Sequence, residues 1–122
     1  MTKLIKLPTI TDERGHLTVL ENCLPFSIKR IYWMYQLNEK SRGGHRHKMT
    51  RQAAVLIAGE CDFLIKNSTG ESVIHLDKPD QCLIIEPEDW HVLKSFKPNT
   101  VVLMIASELY DPSDYINEPL AI

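Results

Sequence analysis

Hydrophobic and polar residues along this chain form short apolar or alternating runs that polar turn segments interrupt. Breakers rich in Asn, Asp, Gly and Pro separate the runs, as at Asn67–Gly70 and Asp77–Asp80. Many short strands at nearly regular spacing indicate an all-β sandwich, jelly roll or barrel. The runs predict nine strands, at Leu4–Leu7, Leu17–Leu20, Ile28–Tyr35, Ala53–Ala58, Asp62–Lys66, Ser72–Leu76, Cys82–Glu86, Val92–Phe96 and Val101–Ser107.

One segment near the C-terminus carries a different signal. In DPSD, Asp111 can cap a helix, the proline after it suits the first helical position, and the charge of Asp114 meets the helix N-terminus. This predicts a short helix or turn that runs through Tyr115 and Ile116. No repeat or linker interrupts the chain, so we expect residues 1–122 to form one domain.

Composition narrows the class of protein. Of the 122 residues, 43% are hydrophobic and 25% are charged, and the net charge is -2. No basic field extends over the sequence, so we expect neither nucleic acid nor a membrane as a partner. The opening MTKLIKLPTI lacks the apolar core of a signal peptide, and no run is long enough to span a bilayer. Three cysteines without a CxxC pair favour reduced thiols and a cytoplasmic location.

The stretch GGHRHKMTRQ contains several residues whose side chains could act in catalysis or bind a ligand. Residues i and i+2 of a strand share a face, so His45 and His47 project together. Gln52 follows His47 after four residues, and Gly59 follows Gln52 after six. This spacing resembles the first motif of the cupin superfamily, in which an acidic residue usually takes the place of Gln52. The segment PEDWH resembles the second cupin motif and adds His91 as a third histidine of the same cavity.

Metal binding competes with acid–base chemistry as the role of these histidines. Three imidazoles and a glutamine oxygen could hold iron, zinc, nickel or manganese. Metal-binding cupins usually add an anionic carboxylate, however, and Gln52 is neutral. Imidazole titrates near neutral pH and can therefore act as a base and then as an acid. A structural polar pair on a strand is the remaining alternative, and we predict no metal ligand.

Longer segments are more specific than the histidine motif. ERGHLTVLE, LPFSIKRIYW, PEDWH and VLMIASELYDPSDYI lie between about Asp12 and Ile116. They resemble the sugar-nucleotide 3,4-ketoisomerases, WxcM-like cupins that act on dTDP-4-keto-6-deoxyglucose. The resemblance implies a cupin jelly roll, or double-stranded β-helix, that works as a homodimer without metal or organic cofactor.

The same resemblance implies the reaction. The hexose carbonyl of a dTDP-linked 4-keto-6-deoxyhexose moves from C4 to C3. An aminotransferase then converts the 3-keto product into a 3-amino sugar for cell-surface glycans such as O-antigen or an S-layer glycan.

The resemblance also assigns catalytic roles. Enolisation removes a proton at C3 and delivers one at C4, so His45 is expected to be the acid–base group at carbon and His47 to assist or to shuttle the oxygen proton. Tyr32 aligns with an active-site tyrosine of the family. The strand Ile28–Tyr35 places it on the same face as Arg30. Core packing with the hydroxyl at the rim is the alternative for this tyrosine.

Five residues are expected to contact or support the substrate. Arg14 and Arg30 are candidates for the pyrophosphate, because a guanidinium forks onto phosphate oxygens; surface ion pairs are the alternative. His91 matches a position near the sugar at which relatives carry histidine or arginine. Gln52 is expected to fix a histidine ring by hydrogen bonding. Trp90 is expected to stack on thymine or sugar, or to pack as a core or rim aromatic.

Other residues and functions stay open at this stage. Tyr110 and Tyr115 are expected to serve packing and dimer contacts. Gly44 stands where the family often has an aromatic residue, and Arg46 stands where a small residue is usual. The alternative functions are an epimerase acting on the same 4-keto sugar, a non-catalytic sugar-nucleotide-binding or regulatory cupin, and a metal-dependent cupin oxygenase or isomerase.

Overall fold

The structure is a computed structural model that describes residues 2–120. Every strand pairing within that range is antiparallel. In order, the elements are β1 (Lys3–Lys6), β2 (Thr9–Asp12), β3 (Gly15–Thr18), β4 (Arg30–Met34), β5 (Arg42–His47), β6 (Gln52–Ala58), β7 (Cys61–Asn67), β8 (Gly70–Leu76), β9 (Gln81–Ile85), β10 (Trp90–Lys94), β11 (Val101–Ala106), a 3-10 helix (Pro112–Asp114) and β12 (Tyr115–Ile116).

Two five-stranded sheets make up the body of the protein. The first sheet has the order β1-β9-β6-β11-β4, and the second has the order β12-β5-β10-β7-β8. From β4 onward the chain passes repeatedly from one sheet to the other, which is the interleaved connectivity of a jelly roll. The predicted all-β jelly roll is therefore confirmed. Strands β2 and β3 form a separate hairpin.

The main core lies between the two sheets. Strand β7 shows the expected alternation, because Cys61, Phe63 and Ile65 are fully buried while the residues between them are partly exposed. Leu56 and Met104 of the first sheet belong to the same cluster. Each such side chain stabilises the fold by about 1.5–3 kcal/mol through the hydrophobic effect.

A second hydrophobic cluster covers the outer face of the first sheet. Leu24 and Phe26, in the connection before β4, pack against a cluster that includes Val55 and Ile105. Arg51 secures this connection, since its guanidinium donates to both carboxylate oxygens of Glu86 at 2.7 and 2.8 Å and to the Pro25 carbonyl at 2.6 Å. The first sheet is thus covered on both faces over part of its area.

The structure agrees with the strand predictions in outline and departs from them at three places. All nine predicted strands overlap observed ones. Strand β2 was not predicted, since all of its residues are exposed and it has no buried face. Strand β5 begins inside the predicted breaker Asn38–Gly44. The C-terminal turn ends early, because Tyr115 and Ile116 form β12 and pair with β5.

The capping prediction is confirmed. Asp111 caps the 3-10 helix by accepting a hydrogen bond from the Ser113 N–H at 2.9 Å. Gly59 forms the tight turn between β6 and β7 at a φ of +84°, and a Cβ there would lie 2.6 Å from the Thr100 Cα. No other residue fits at this turn. Within residues 2–120, no helix is long and apolar enough to cross a lipid bilayer.

Candidate active site

Strands β5 and β10 bring the three predicted histidines together in the second sheet. The register pairs His45 directly with His91, and strand alternation puts His47 on the same side as His45. The His45 ring centroid lies 5.0 Å from that of His47 and 4.9 Å from that of His91. His47 and His91 are each only 2% exposed. The grouping predicted from the sequence is therefore present.

A β-bulge sets this register. Between His91 and Val92 the pairing advances one residue on β10 but two on β5, so Gly44 is the extra residue. Gly43 precedes it with a φ of +89°, and a Cβ on Gly43 would lie 2.8 Å from the carbonyl oxygen of His91. The missing Cβ of Gly43 therefore allows β5 to approach β10 closely enough for His45 to face His91, while Gly44 adopts the φ of +82° at the bulge.

A buried carboxylate holds His47, and the sequence reasoning missed it. Asp114 Oδ2 lies 2.9 Å from His47 Nδ1 and accepts a hydrogen bond from the Thr50 hydroxyl at 2.5 Å. Its Oδ1 accepts from the Met49 N–H at 2.7 Å. Burial acts to raise the pKa of Asp114, but the hydrogen bonds from Thr50, Met49 and His47 outweigh it and leave the pKa below its ordinary value.

All three imidazoles are neutral at pH 7. Burial, followed by repulsion from His47 when that ring is also protonated, lowers the pKa of His45 to about 4. Burial lowers the pKa of His91 to about 3, against the opposing hydrogen bond with the Asp89 carbonyl. Burial also lowers the pKa of His47, where Asp114 opposes the shift. The site therefore offers unprotonated ring nitrogens, which can accept a proton or bind a metal ion.

A small cavity opens onto this group. Its volume is about 160 Å³, which is enough for a sugar ring and below the usual volume of a site for a larger ligand. His45 and His91 line it, together with Arg42 and Tyr32. His47 is not part of the lining. A larger cavity of about 760 Å³ lies beyond Asp114 but has no histidine in its lining.

Tyr115, for which the sequence predicts packing and dimer contacts, packs against the histidines. Its ring centroid lies 4.6 Å from those of both His45 and His47, and the side chain lines the cavity. The cause is the pairing of β12 with β5, which sets Tyr115 opposite His47. Its predicted packing role is thus exerted on the histidines themselves.

Tyr32 and Arg30 reach the site from the opposite sheet. They share the inner face of β4, as predicted, with the Arg30 guanidinium 5.1 Å from the Tyr32 ring centroid and 5.7 Å from that of Tyr110. Burial is the main cause that raises the pKa of Tyr32, so the phenol stays protonated at neutral pH. The buried Nε of Arg30 has no hydrogen-bond partner within residues 2–120.

The predicted partner of Gln52 was wrong. Its Nε2 donates to the Tyr32 hydroxyl at 2.6 Å, not to a histidine, because Gln52 lies on β6 in the same sheet as Tyr32. The glutamine is fully buried. Since the Tyr32 oxygen accepts this hydrogen bond, its own proton remains free to be donated into the cavity.

Two other predicted residues lie away from the cavity. Arg14 is on the β2–β3 turn with 83% of its side chain exposed, and it pairs with Asp12 at 2.6 Å. Trp90 alternates with His91 on β10 and so faces the other way; its indole donates to the Asn117 carbonyl at 2.8 Å. Trp90 therefore does not face the sugar-sized cavity and its rim alternative fits this geometry, while stacking on thymine stays a prediction.

The three histidines could also hold a metal ion. One ligand atom from each lies within 4.8 Å of the others, and within residues 2–120 no carboxylate joins this group. Three neutral nitrogens fit zinc or a related transition ion, which would supply a Lewis acid at the cavity. The donor set lacks the anionic ligand that usually completes such a site in metal-binding cupins.

A jelly roll whose cavity is lined by histidine, tyrosine and arginine defines a cupin-type protein for a small polar ligand. The family model described as FdtA, WxcM-like, C-terminal, matches residues 1–121. The chain therefore belongs to the WxcM-like FdtA family, and the resemblance noted in the sequence is confirmed.

Characterised relatives are similar over nearly the full length. The TDP-4-oxo-6-deoxy-alpha-D-glucose-3,4-oxoisomerase of Aneurinibacillus thermoaerophilus is 35% identical over 119 residues, which is 95% of this chain and 86% of that protein. A histidine-to-asparagine mutant of the 3,4-ketoisomerase QdtA from Thermoanaerobacterium thermosaccharolyticum, in complex with TDP-4-keto-6-deoxyglucose, is 35% identical, with a TM-score of 0.91 over 96% of this chain and 87% of that one. The WlaRB TDP-quinovose 3,4-ketoisomerase of Campylobacter jejuni is 34% identical, with a TM-score of 0.90 over 96% and 92%.

Proposed function

We propose that this protein is a sugar-nucleotide 3,4-ketoisomerase that converts dTDP-4-keto-6-deoxyglucose into a dTDP-3-keto-6-deoxyhexose. The similarity to three 3,4-ketoisomerases over nearly the whole chain carries the proposal. The cavity supports it, because a neutral imidazole and a protonated phenol face each other across a space that fits one hexose ring.

The reaction needs only proton transfers. A base takes the proton from C3, which the C4 carbonyl acidifies, and the electron pair forms an enediolate between C3 and C4. The oxygen on C4 gains a proton, the oxygen on C3 loses one, and C4 receives the proton that completes the new C–H bond. Oxidation at C3 balances reduction at C4, so no external oxidant or reductant takes part.

His45 is the proposed acid–base group at carbon. It lines the cavity and is neutral at pH 7, so its free nitrogen can accept the C3 proton. With a pKa of about 4 in the free protein, protonated His45 is more acidic than an ordinary imidazolium, and it delivers a proton that has exchanged with solvent to C4. The negative charge of a bound pyrophosphate would raise this pKa towards neutrality, which suits both halves of the reaction.

The other polar groups bind the sugar and the diphosphate. The free hydroxyl proton of Tyr32 is proposed to hydrogen-bond a sugar oxygen, with Gln52 holding the phenol in place. His91 is proposed to face the sugar. Arg30 and Arg42 are proposed to attract the pyrophosphate, because the cavity is too small for the nucleotide, which must lie outside it.

We also propose a homodimer that works in the cytoplasm. Ile31, Trp33 and Ile57 are half exposed on the outer face of the first sheet, where a second copy would cover them. Arg14 does not line the cavity of its own chain, so a contact with the sugar would have to come from a second copy. Free cysteines fit a reducing compartment. Light scattering should give twice the chain mass, and Trp33→Asp should shift it towards the single chain.

One NMR experiment tests the reaction. Incubation with dTDP-4-keto-6-deoxyglucose in deuterated water should yield a 3-keto product with deuterium at C4. His45→Asn should abolish product and exchange, while His75→Asn, at an exposed position, should leave both unchanged. Deuterium at C3 or C5 with the 4-keto group retained would instead establish an epimerase. Binding without exchange would establish a non-catalytic protein.

A further inference from the structure

The carboxylate of Asp114 holds the buried side of the His47 ring in place. Asp114 is 7% exposed and accepts hydrogen bonds from three groups within His47–Thr50. Its two oxygens have separate tasks: Oδ1 takes the Met49 N–H, while Oδ2 takes the Thr50 hydroxyl and faces His47 Nδ1. The capped 3-10 helix fixes the carboxylate in this orientation.

This arrangement determines which nitrogen of His47 carries the proton. An ionised carboxylate can only accept hydrogen bonds, so His47 Nδ1 must be the donor. The lone pair of the neutral ring then lies on Nε2. That atom is buried and has no hydrogen-bond partner within residues 2–120, although the rings of His45 and His91 lie close by.

We infer that Asp114 is a positioning residue for the isomerisation: it holds His47 with the proton on Nδ1 and stabilises the imidazolium that forms when Nε2 takes a proton. The inference rests on the proposed function. His47 is buried outside the cavity lining, so it exchanges a proton with the neighbouring His45 and not with the sugar. It takes the proton that His45 removes from C3 and gives one back before C4 is protonated, so none is gained or lost. Asp114 itself does not touch the sugar.

An Asp114→Asn variant separates positioning from packing. The Met49 N–H requires an acceptor, so the amide oxygen of the introduced asparagine takes the place of Oδ1. The amide NH2 group must then face His47 and donate to Nδ1. His47 is forced to carry its proton on Nε2 and loses the lone pair there, while the shape of the side chain hardly changes.

Nitrogen-15 NMR of histidine-labelled protein reads this proton position directly. The unmodified protein should show His47 protonated at Nδ1, and D114N should show it protonated at Nε2. We expect D114N to lower kcat at least 100-fold with KM changed less than threefold, since wrong-tautomer effects of this kind are large. Asp111→Asn is the matched control: it removes the same charge from the same 3-10 helix, keeps a capping side chain, and should change neither measurement.

The outcomes separate this inference from the proposed function. An Nε2 proton on His47 in the unmodified protein would overturn it without any variant. So would a D114N protein that keeps the Nδ1 proton, or one that moves it without loss of kcat. If the unmodified protein had no isomerase activity, the proposed function would fail, and the NMR measurement would still decide whether Asp114 sets the proton position.

Discussion

Mild acid should destabilise this protein through His91, a buried histidine that stays neutral in the fold. Its pKa is about 3 in the folded protein, with burial as the main cause, against about 6.5 in an unfolded chain. The unfolded state therefore binds a proton more strongly than the folded state. The stability contributed by the neutral ring is fully present above pH 6.5 and is lost progressively as the pH falls towards 3.

The size of this stability loss is worked out for the upper part of the pH range between 6.5 and 3, where most carboxylates do not yet titrate. Each pH unit between the two pKa values changes the free energy of unfolding by about 1.36 kcal/mol per group. From pH 6.5 to pH 5 the loss from His91 is therefore about 2 kcal/mol. His45, with a pKa of about 4, contributes in the same direction. The contribution of His91 is therefore isolated by comparing the stability loss of the unmodified protein with that of a variant that lacks this histidine.

Urea unfolding at pH 7 and pH 5 provides that difference. The unmodified protein should lose about 2 kcal/mol more than His91→Gln over this interval. His75 gives a control of opposite sign, because hydrogen bonds with Asp62 and then Glu60 raise its pKa in the folded state. Its contribution is present at low pH and lost as the pH rises, so His75→Gln should lose more stability in acid than the unmodified protein. Equal losses in His91→Gln and the unmodified protein would refute a neutral, buried His91.

Three further changes test the site. Gly43→Ala and Gly44→Ala should each lower the stability by about 1 kcal/mol, because alanine disfavours a positive φ. Thermal melts should show a larger loss for Gly43→Ala, because of the two only its Cβ meets the His91 carbonyl. Equal losses would contradict the close approach of β5 to β10. Tyr115→Leu should lower kcat more than Tyr115→Phe, which keeps the ring against His45. EDTA should leave isomerase activity unchanged while added zinc inhibits it; activity lost on chelation and restored by metal would establish a metal enzyme.

Local periodicity accounts for what could be predicted from the sequence. Short apolar runs between polar turn residues predict strands at Asp62–Lys66 and Val101–Ser107, and the structure has strands at Cys61–Asn67 and Val101–Ala106. The two-residue period of a strand places His45 and His47 on one face before any contact is known. Such inferences need only neighbours in the chain, which is why they succeed.

Contacts between distant segments could not be predicted in this way. Asp114 and His47 are 67 residues apart, and nothing near either residue marks the pairing. Tyr115 meets the histidines only because β12 is the edge partner of β5. The Gln52 prediction failed for a related reason, since it did not include which sheet β6 joins, and the hydrogen bond goes to Tyr32 within that sheet.

The three histidines are alike in sequence, but their surroundings make them different groups. Burial makes protonation unfavourable at each of them, which costs stability in acid and keeps a lone pair available at neutral pH. Among the described residues 2–120, a carboxylate offsets this penalty at His47 and at neither of the other two. In the proposed mechanism His45 exchanges the proton with carbon, and the hydrogen bond with Asp114 makes protonation less unfavourable at His47. This proposed difference between His45 and His47 depends on the carboxylate of Asp114. The Asp114→Asn substitution, which replaces one oxygen by nitrogen, should be enough to disturb it.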